Sequence, residues 1–166
     1  ITDDAAVFLS LKSEELDVTN RIGTSKLTKL QQHEYFNDAY HSDFMNQYSY
    51  NYLGMNMRPD GIKRKAFFDD VNVRRAMAYL TPVDEIVEVI LHNKGSRQVS
   101  NLSNLKKNYN DTLKLIPLDI DKAKSLLDNA GWIDTDGDNI RDKIVNGEKL
   151  QLSFQLSYMS SAVSKE

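Results

Sequence analysis

The sequence predicts a mixed α/β or α+β chain, and three observations predict it. Helical apolar stripes occur at Val73-Ala76-Met77-Leu80 and again at Val83-Ile86-Val87-Ile90. Strict alternation runs through Leu150, Leu152, Phe154, Leu156 and Tyr158. A two-residue Asn146-Gly147 turn signal sits just ahead of that alternation. The first pattern has the 3.6-residue period of a helix buried on one face, the second the two-residue period of a strand. Asn-Gly is the commonest tight hairpin turn, because both central residues need positive φ.

The elements follow in order. Thr2-Asp3-Asp4 offers a capping hydroxyl and first-turn acids, after which Ala5, Phe8 and Leu9 recur at helical spacing, so a first helix is expected to end near Glu15. Leu16 to Thr19 favours extended backbone, and Thr24 is expected to cap a second helix over Ser25 to Gln32. From Phe44 to Met57 an extended segment places Tyr48, Tyr50 and Tyr52 on one face and Leu53, Met55 and Met57 on the other, with protein expected against both. Met57-Arg58-Pro59-Asp60-Gly61 is a turn signal and sets an expected boundary there. Asp69-Asp70 precedes a helix, and Thr81-Pro82 is expected to restart the chain as N-cap and first helical residue of another. Residues 93–117 are polar and aperiodic, which predicts a long surface connection. Asp119 then caps a helix bearing Ile120, Ala123, Leu126 and Leu127, closed by Gly131, with Trp132 expected to pack back on it.

Composition excludes several functions. With 40% hydrophobic and 27% charged residues the chain can bury a core, so disorder is not expected. A net charge of −3 provides no field for nucleic acid, and the one basic concentration, Lys63-Arg64-Lys65, reads as a solvated turn. Zero cysteines exclude disulfides, thiolate metal sites and cysteine nucleophiles. No stretch is long and apolar enough for a membrane-crossing helix. The start at Ile1 without methionine, and the close at Ser164-Lys165-Glu166 just after a strand, set the expectation of a segment excised from a longer chain. Any targeting signal is then expected upstream.

Three constellations are candidates for chemistry. Tyrosines 48, 50 and 52 could line a cleft, where flat amphipathic rings sandwich a ligand; the alternative is a buried sheet face. Asn56 could touch ligand or cap backbone groups near the turn. Asp134, Asp136, Asp138 and Asp142 stand at the first, third, fifth and ninth positions of a loop, the oxygen-rich front of an EF-hand calcium loop. Asn139 at the sixth position and Val145 at the twelfth depart from that pattern, so calcium is only a candidate cofactor and a plain turn into a hairpin is the other reading. His33, His41 and His92 lie on separate elements without ligand spacing, and neither a G-x-S-x-G elbow nor a phosphate-cradling glycine pattern occurs. No activity is expected.

Segments in a fixed order carry a family resemblance. Tyr52-Leu53-Gly54-Met55-Asn56, followed by Phe68-Asp69-Asp70-Val71-Asn72-Val73-Arg74-Arg75-Ala76, is similar to a strand ending in asparagine and an F-x-D-V-x-V-R-x-A helix opening. Asp119 to Trp132 resembles D-P-E-K-A-K-x-L-L-x-x-A-G-W. Asp134 to Lys143, a glycine turn and the alternating strand complete the set, and Ser13 to Val18 is similar to a G-E-x-D-V strand without its glycine. These resemble the middle segment of bacterial extracellular solute-binding proteins of family 5, the peptide- and nickel-binding subunits of ABC importers. Thr81-Pro82-Val83-Asp84 departs from the Asp-Arg pair usual there.

The resemblance implies a fragment of the type II periplasmic-binding-protein fold, a mixed sheet with flanking helices. Residues 1–56 would be the end of lobe one and a crossover strand, and 57–166 the first part of lobe two. It implies capture of a small solute, with peptide the leading class, for a membrane permease; Tyr50, Tyr52 and Asn56 are the candidate ligand contacts that the residues themselves offer. It also implies a periplasmic or extracytoplasmic place, with the membrane reached only through an upstream lipid anchor. In peptide-binding relatives the acid that anchors the ligand's amino terminus comes later in the chain than residue 166. The alternatives are a calcium-organised interaction domain and the sensor part of a transcription regulator.

Overall fold

The computed structural model describes residues 4–20, 22–58 and 67–158. The expected cap at Thr2, the turn from Pro59 to Gly61 and the basic Lys63-Arg64-Lys65 lie outside the described residues. Within them the chain forms two compact units, one of residues 4–49 with 84–98, the other of residues 50–83 with 99–158. Residues 84–98 thus group with the N-terminal residues.

In the first unit α1 (Asp4–Lys12), α2 (Thr24–Leu30) and α3 (Glu34–Ala39) surround a small core. Val7, Leu11, Leu27, Leu30 and Phe36 are buried there, with Phe8, Leu16, Ile22, Tyr40 and Phe44 packed around them. The expected stripe of Ala5, Phe8 and Leu9 is off by one position. The buried pair is Val7 and Leu11, spaced i and i+4, while Leu9 faces solvent. Helix α1 stops at Lys12, and the chain turns through Glu14 at φ 58°. Leu16 to Thr19 joins no ladder, and Val18 is exposed. Thr24 proves to be the first helical residue of α2 behind an N-cap at Gly23. Helix α3 is not announced by the sequence, since one buried aromatic in six residues makes no period.

The second unit is built on α4 (Val71–Leu80) and α6 (Ile120–Asn129), which pack on each other. Val73, Ala76 and Ala123 are fully buried, and the two alanines leave room for close helix approach. Phe67 and Trp132 meet edge-on, ring centroids 5.4 Å apart. Asp70 caps α4, accepting from the Asn72 amide at 2.7 Å, and Asp119 caps α6, accepting from Lys122 at 2.8 Å. The Asp119 amide donates to the Tyr79 carbonyl at 3.0 Å, tying the start of α6 to the end of α4.

Helix α6 ends in a Schellman motif. The Trp132 amide bonds the Leu127 carbonyl and the Gly131 amide that of Asp128, each at 2.9 Å, with Gly131 at φ 81°. Lys143 donates to the Ala130 carbonyl and Arg141 to that of Trp132, so two cations sit at the negative end of the helix dipole.

Strands β1 (Asp142–Val145) and β2 (Glu148–Gln151) pair antiparallel with Ile144 opposite Lys149. Asn146 at φ 52° and Gly147 at φ 83° make the expected tight turn. The arm beyond Gln151 is not in a ladder through Tyr158, although the Leu152 amide reaches the Arg141 carbonyl and Phe154 meets Phe68 edge-on. Residues 44–57 also run extended without a ladder. Among the described residues the hairpin is therefore the one sheet, smaller than the mixed sheet expected.

Two further expectations are corrected. Thr81 closes α4 rather than opening the next helix: its hydroxyl donates back to the Met77 carbonyl at 2.8 Å. The next helix starts at Val83 as α5 (Val83–Glu85) and runs into a π-helical stretch, Ile86–Ile90. The wider π turn rotates the stripe, and none of its residues is buried.

Candidate functional site

The extended segment is anchored at its start only. Tyr40 donates its hydroxyl to the Leu16 carbonyl at 2.9 Å and packs its ring on Phe36. Ser42 accepts from Gln31 at 3.0 Å, and Phe44 lies under the Lys94 ammonium at 4.7 Å. Residues 40, 42 and 44 therefore share a protein-facing side, as period two requires. A bend at Tyr48 ends that regularity, and beyond it both faces are open rather than covered, as had been expected. No strand lies alongside the segment among the described residues, and Met55 alone of residues 49–58 is half-buried.

Tyr50 and Tyr52 come together, ring centroids 5.9 Å apart and tilted by 47°. Tyr52 is 78% exposed, and its ring lies beside Gly54, where an added Cβ would just touch it at 3.5 Å. Tyr48 is also exposed. Asn56 closes an Asx turn, its Oδ1 accepting the Arg58 amide at 3.1 Å. The segment thus presents two amphipathic rings and one amide on open backbone, suited to stacking and hydrogen bonding.

The acidic loop is organised more tightly. Carboxylate oxygens of Asp134, Asp136 and Asp138 lie within 4.8 Å of one another. Asp134 accepts the amides of Gly137 at 2.7 Å and Asn139 at 3.0 Å, folding the loop around itself. Asp138 accepts from the Ile140 amide at 2.8 Å and from the Gln151 side chain at 3.0 Å. Asp136 pairs with Lys149.

Asp142 stands apart from these three. It is 1% exposed, accepts the Thr135 hydroxyl at 2.7 Å and the Thr135 amide at 3.2 Å, and receives the Lys149 ammonium at 3.2 Å. Burial pushes its carboxyl up, but the Thr135 and Lys149 bonds outweigh that and hold it below the ordinary value of 3.8. The hydrogen bond from Lys149 likewise holds Asp136 low, and the Asp136 bond holds the Lys149 ammonium above 10.5.

Lys149, Thr135 and Gln151 were not singled out by the sequence. The signal was present in the alternation: Lys149 and Gln151 share the polar face of the strand whose other face carries Leu150. Only the turn register shows that this polar face meets the loop.

The chain matches bacterial extracellular solute-binding proteins, family 5 Middle, over residues 1–165. It is 33% identical over 116 residues to the oligopeptide-binding protein AppA of Bacillus subtilis, a match covering 64% of this chain and 19% of that protein. It is 37% identical over 68 residues to heme-binding protein A of Haemophilus influenzae, covering 41% of this chain and 12% of that one. Among solved structures it resembles AppA from Bacillus subtilis in complex with a nonapeptide, with TM-score 0.64 and 25% identity over 90% of this chain and 27% of that chain. It also resembles NikA from Brucella suis in complex with Fe(III)-EDTA, with TM-score 0.71 and 20% identity over 89% of this chain and 28% of that one. These neighbours have the type II periplasmic-binding-protein fold, and this chain spans less than a third of the length of each relative. A family match over residues 1–165 makes the chain a member of the family 5 bacterial extracellular solute-binding proteins.

Proposed function

We propose that the chain is part of the substrate-binding component of an ABC importer, working outside the cytoplasm to capture a small solute and deliver it to a membrane permease. The observation that carries this is the family match over residues 1–165. Peptide is the favoured ligand class, because a relative at 33% identity is an oligopeptide-binding protein and a structure resembling 90% of this chain holds a nonapeptide. Heme and metal chelates are the classes to test beside it, given the heme-binding relative and the Fe(III)-EDTA complex.

Tyr50 and Tyr52 are the ligand contacts this reading selects, with Asn56 beside them. Their rings are exposed and adjacent, so they can stack on a solute without first breaking a core. Binding rather than catalysis fits these three side chains, two phenols and a carboxamide. Capture works by differential affinity: a ligand that touches both lobes of the whole protein favours the closed state, which the permease then recognises.

A thermal-shift screen of the whole protein against peptides, heme and Fe(III)-EDTA tests this. Stabilisation by peptides that is lost in Tyr50→Ala and Tyr52→Ala supports it; no stabilisation by any of the three classes overturns it. The rival reading, a calcium-organised interaction domain, draws only on the closeness of Asp134, Asp136 and Asp138, two of which already have side-chain partners in Lys149 and Gln151.

A further inference from the structure

We infer that Lys149 is a tethered cation that holds the acidic 134–142 loop closed, doing the work a bound metal ion does in loops of similar sequence. Four carboxylates occur within nine residues, and three of them approach within 4.8 Å. Like charges so close repel unless a positive charge or donors compensate them. Asp134 and Asp138 are compensated by donors: backbone amides for the first, an amide and the Gln151 side chain for the second. Asp136 and the buried Asp142 share Lys149. Among the described residues it is the one side-chain cation paired with this loop, since Arg141 turns instead to Asp128.

The hairpin delivers this ammonium. The two-residue turn at Asn146-Gly147 sets Lys149 opposite Ile144, and period two then puts Lys149 and Gln151 on the side of Asp136 and Asp138. Leu150, between them, packs against the core of α4 and α6. A slip of one residue would reverse all three. A hard cation such as calcium seeks six to eight oxygens and binds only above a threshold concentration. The lysine is covalently present, so loop closure does not depend on ion supply. The inference concerns this loop alone and stands whatever solute the protein carries.

Thermal unfolding of this 166-residue chain, followed by the fluorescence of Trp132, the one tryptophan in it, tests the inference. The wild-type midpoint is expected to be the same in calcium chloride and in chelator. Lys149→Met is expected to lower the midpoint in chelator by about 2–4 °C, the scale for a modest loss in a chain of this size, and to regain it in calcium. Lys149→Arg, which keeps the charge, is expected to remain indifferent to calcium. If Lys149→Met fails to fold in chelator, folding restored by calcium supports the inference, and failure in both media overturns it. A wild-type midpoint raised by calcium, or a Lys149→Met midpoint equal to wild type in chelator, also overturns it.

Discussion

Two segments of this chain carry the same alternating pattern and come to different ends. Residues 150–158 place an apolar or aromatic group at every second position, and within residues 44–57 Tyr48, Tyr50 and Tyr52 do the same before the pattern passes to Leu53, Met55 and Met57. The first starts within β2, which begins two residues after a partner strand and pairs with it from Asp142↔Gln151 to Val145↔Glu148. The second has no partner strand among the described residues and leaves Tyr48, Tyr50 and Tyr52 exposed. Period two states which residues share a face, and says nothing about what lies across or beside them. A local turn answers that question for β2. For 44–57 the answer has to come from chain distant in sequence, and β pairing of that kind is invisible to a local pattern.

The contrast breaks most clearly at the residues each segment leans on. Trp132 is 5% exposed, edge-on to Phe67, with Leu150 and Leu152 packed on the same cluster. Trp132→Ala is expected to cost about 3–5 kcal/mol by transfer and cavity formation, whereas Tyr52→Ala should stay within about 0.5 kcal/mol, as exposed sites do. Denaturant unfolding monitored by far-UV circular dichroism measures both. Equal losses for the two would mean that the tyrosine face is covered in the folded protein.

The second way to sharpen the comparison is to remove the turn that separates the two cases. Gly147 sits at φ 83° with open space around it, so a side chain meets no clash and only the backbone conformation is penalised. Gly147→Val is expected to cost about 1–2 kcal/mol. Hydrogen exchange should speed up through Asp142–Val145 and Glu148–Gln151 while the amides of α4 and α6 stay protected. Uniform acceleration across the second unit would show instead that hairpin and helices open together.

What could be read in advance follows the same division. The helix start after Asp69-Asp70, the cap at Asp119, the left-handed Gly131, the return of Trp132 onto α6 and the Asn146-Gly147 turn are all decided within a few residues, and the sequence states them. Thr81 misled because its hydroxyl has two backbone options, and the carbonyl of Met77, one turn back, takes it. The stripe from Val83 to Ile90 misled because it assumes the α period, which the π turn widens. At the candidate sites the acids of the loop were legible as residues. Their bonding to Lys149 and Gln151 was not, since it depends on a strand register 13 residues away.

That register also makes the hairpin, and not the open segment, sensitive to acid. Asp136 is held below 3.8 chiefly by its bond from Lys149; Asp142 is pushed up by burial but brought below 3.8 by Thr135 and Lys149. A carboxyl whose folded pKa lies below its unfolded one adds stability above the unfolded value and loses it as pH falls through the folded value. Lys149, raised above 10.5, adds stability below that value and loses it as pH rises past it. The network is therefore expected to contribute evenly between these limits and to weaken on both sides. Trp132 fluorescence, two residues before the loop, should show the acid loss beginning below pH 3.8 in the wild type and reduced in Asp136→Asn, which removes one of the two carboxyls that must be protonated. An acid profile unchanged by Asp136→Asn would mean that the Asp136–Lys149 pair contributes nothing, leaving the buried Asp142 and the Asn146-Gly147 turn to account for why this alternating segment found a partner.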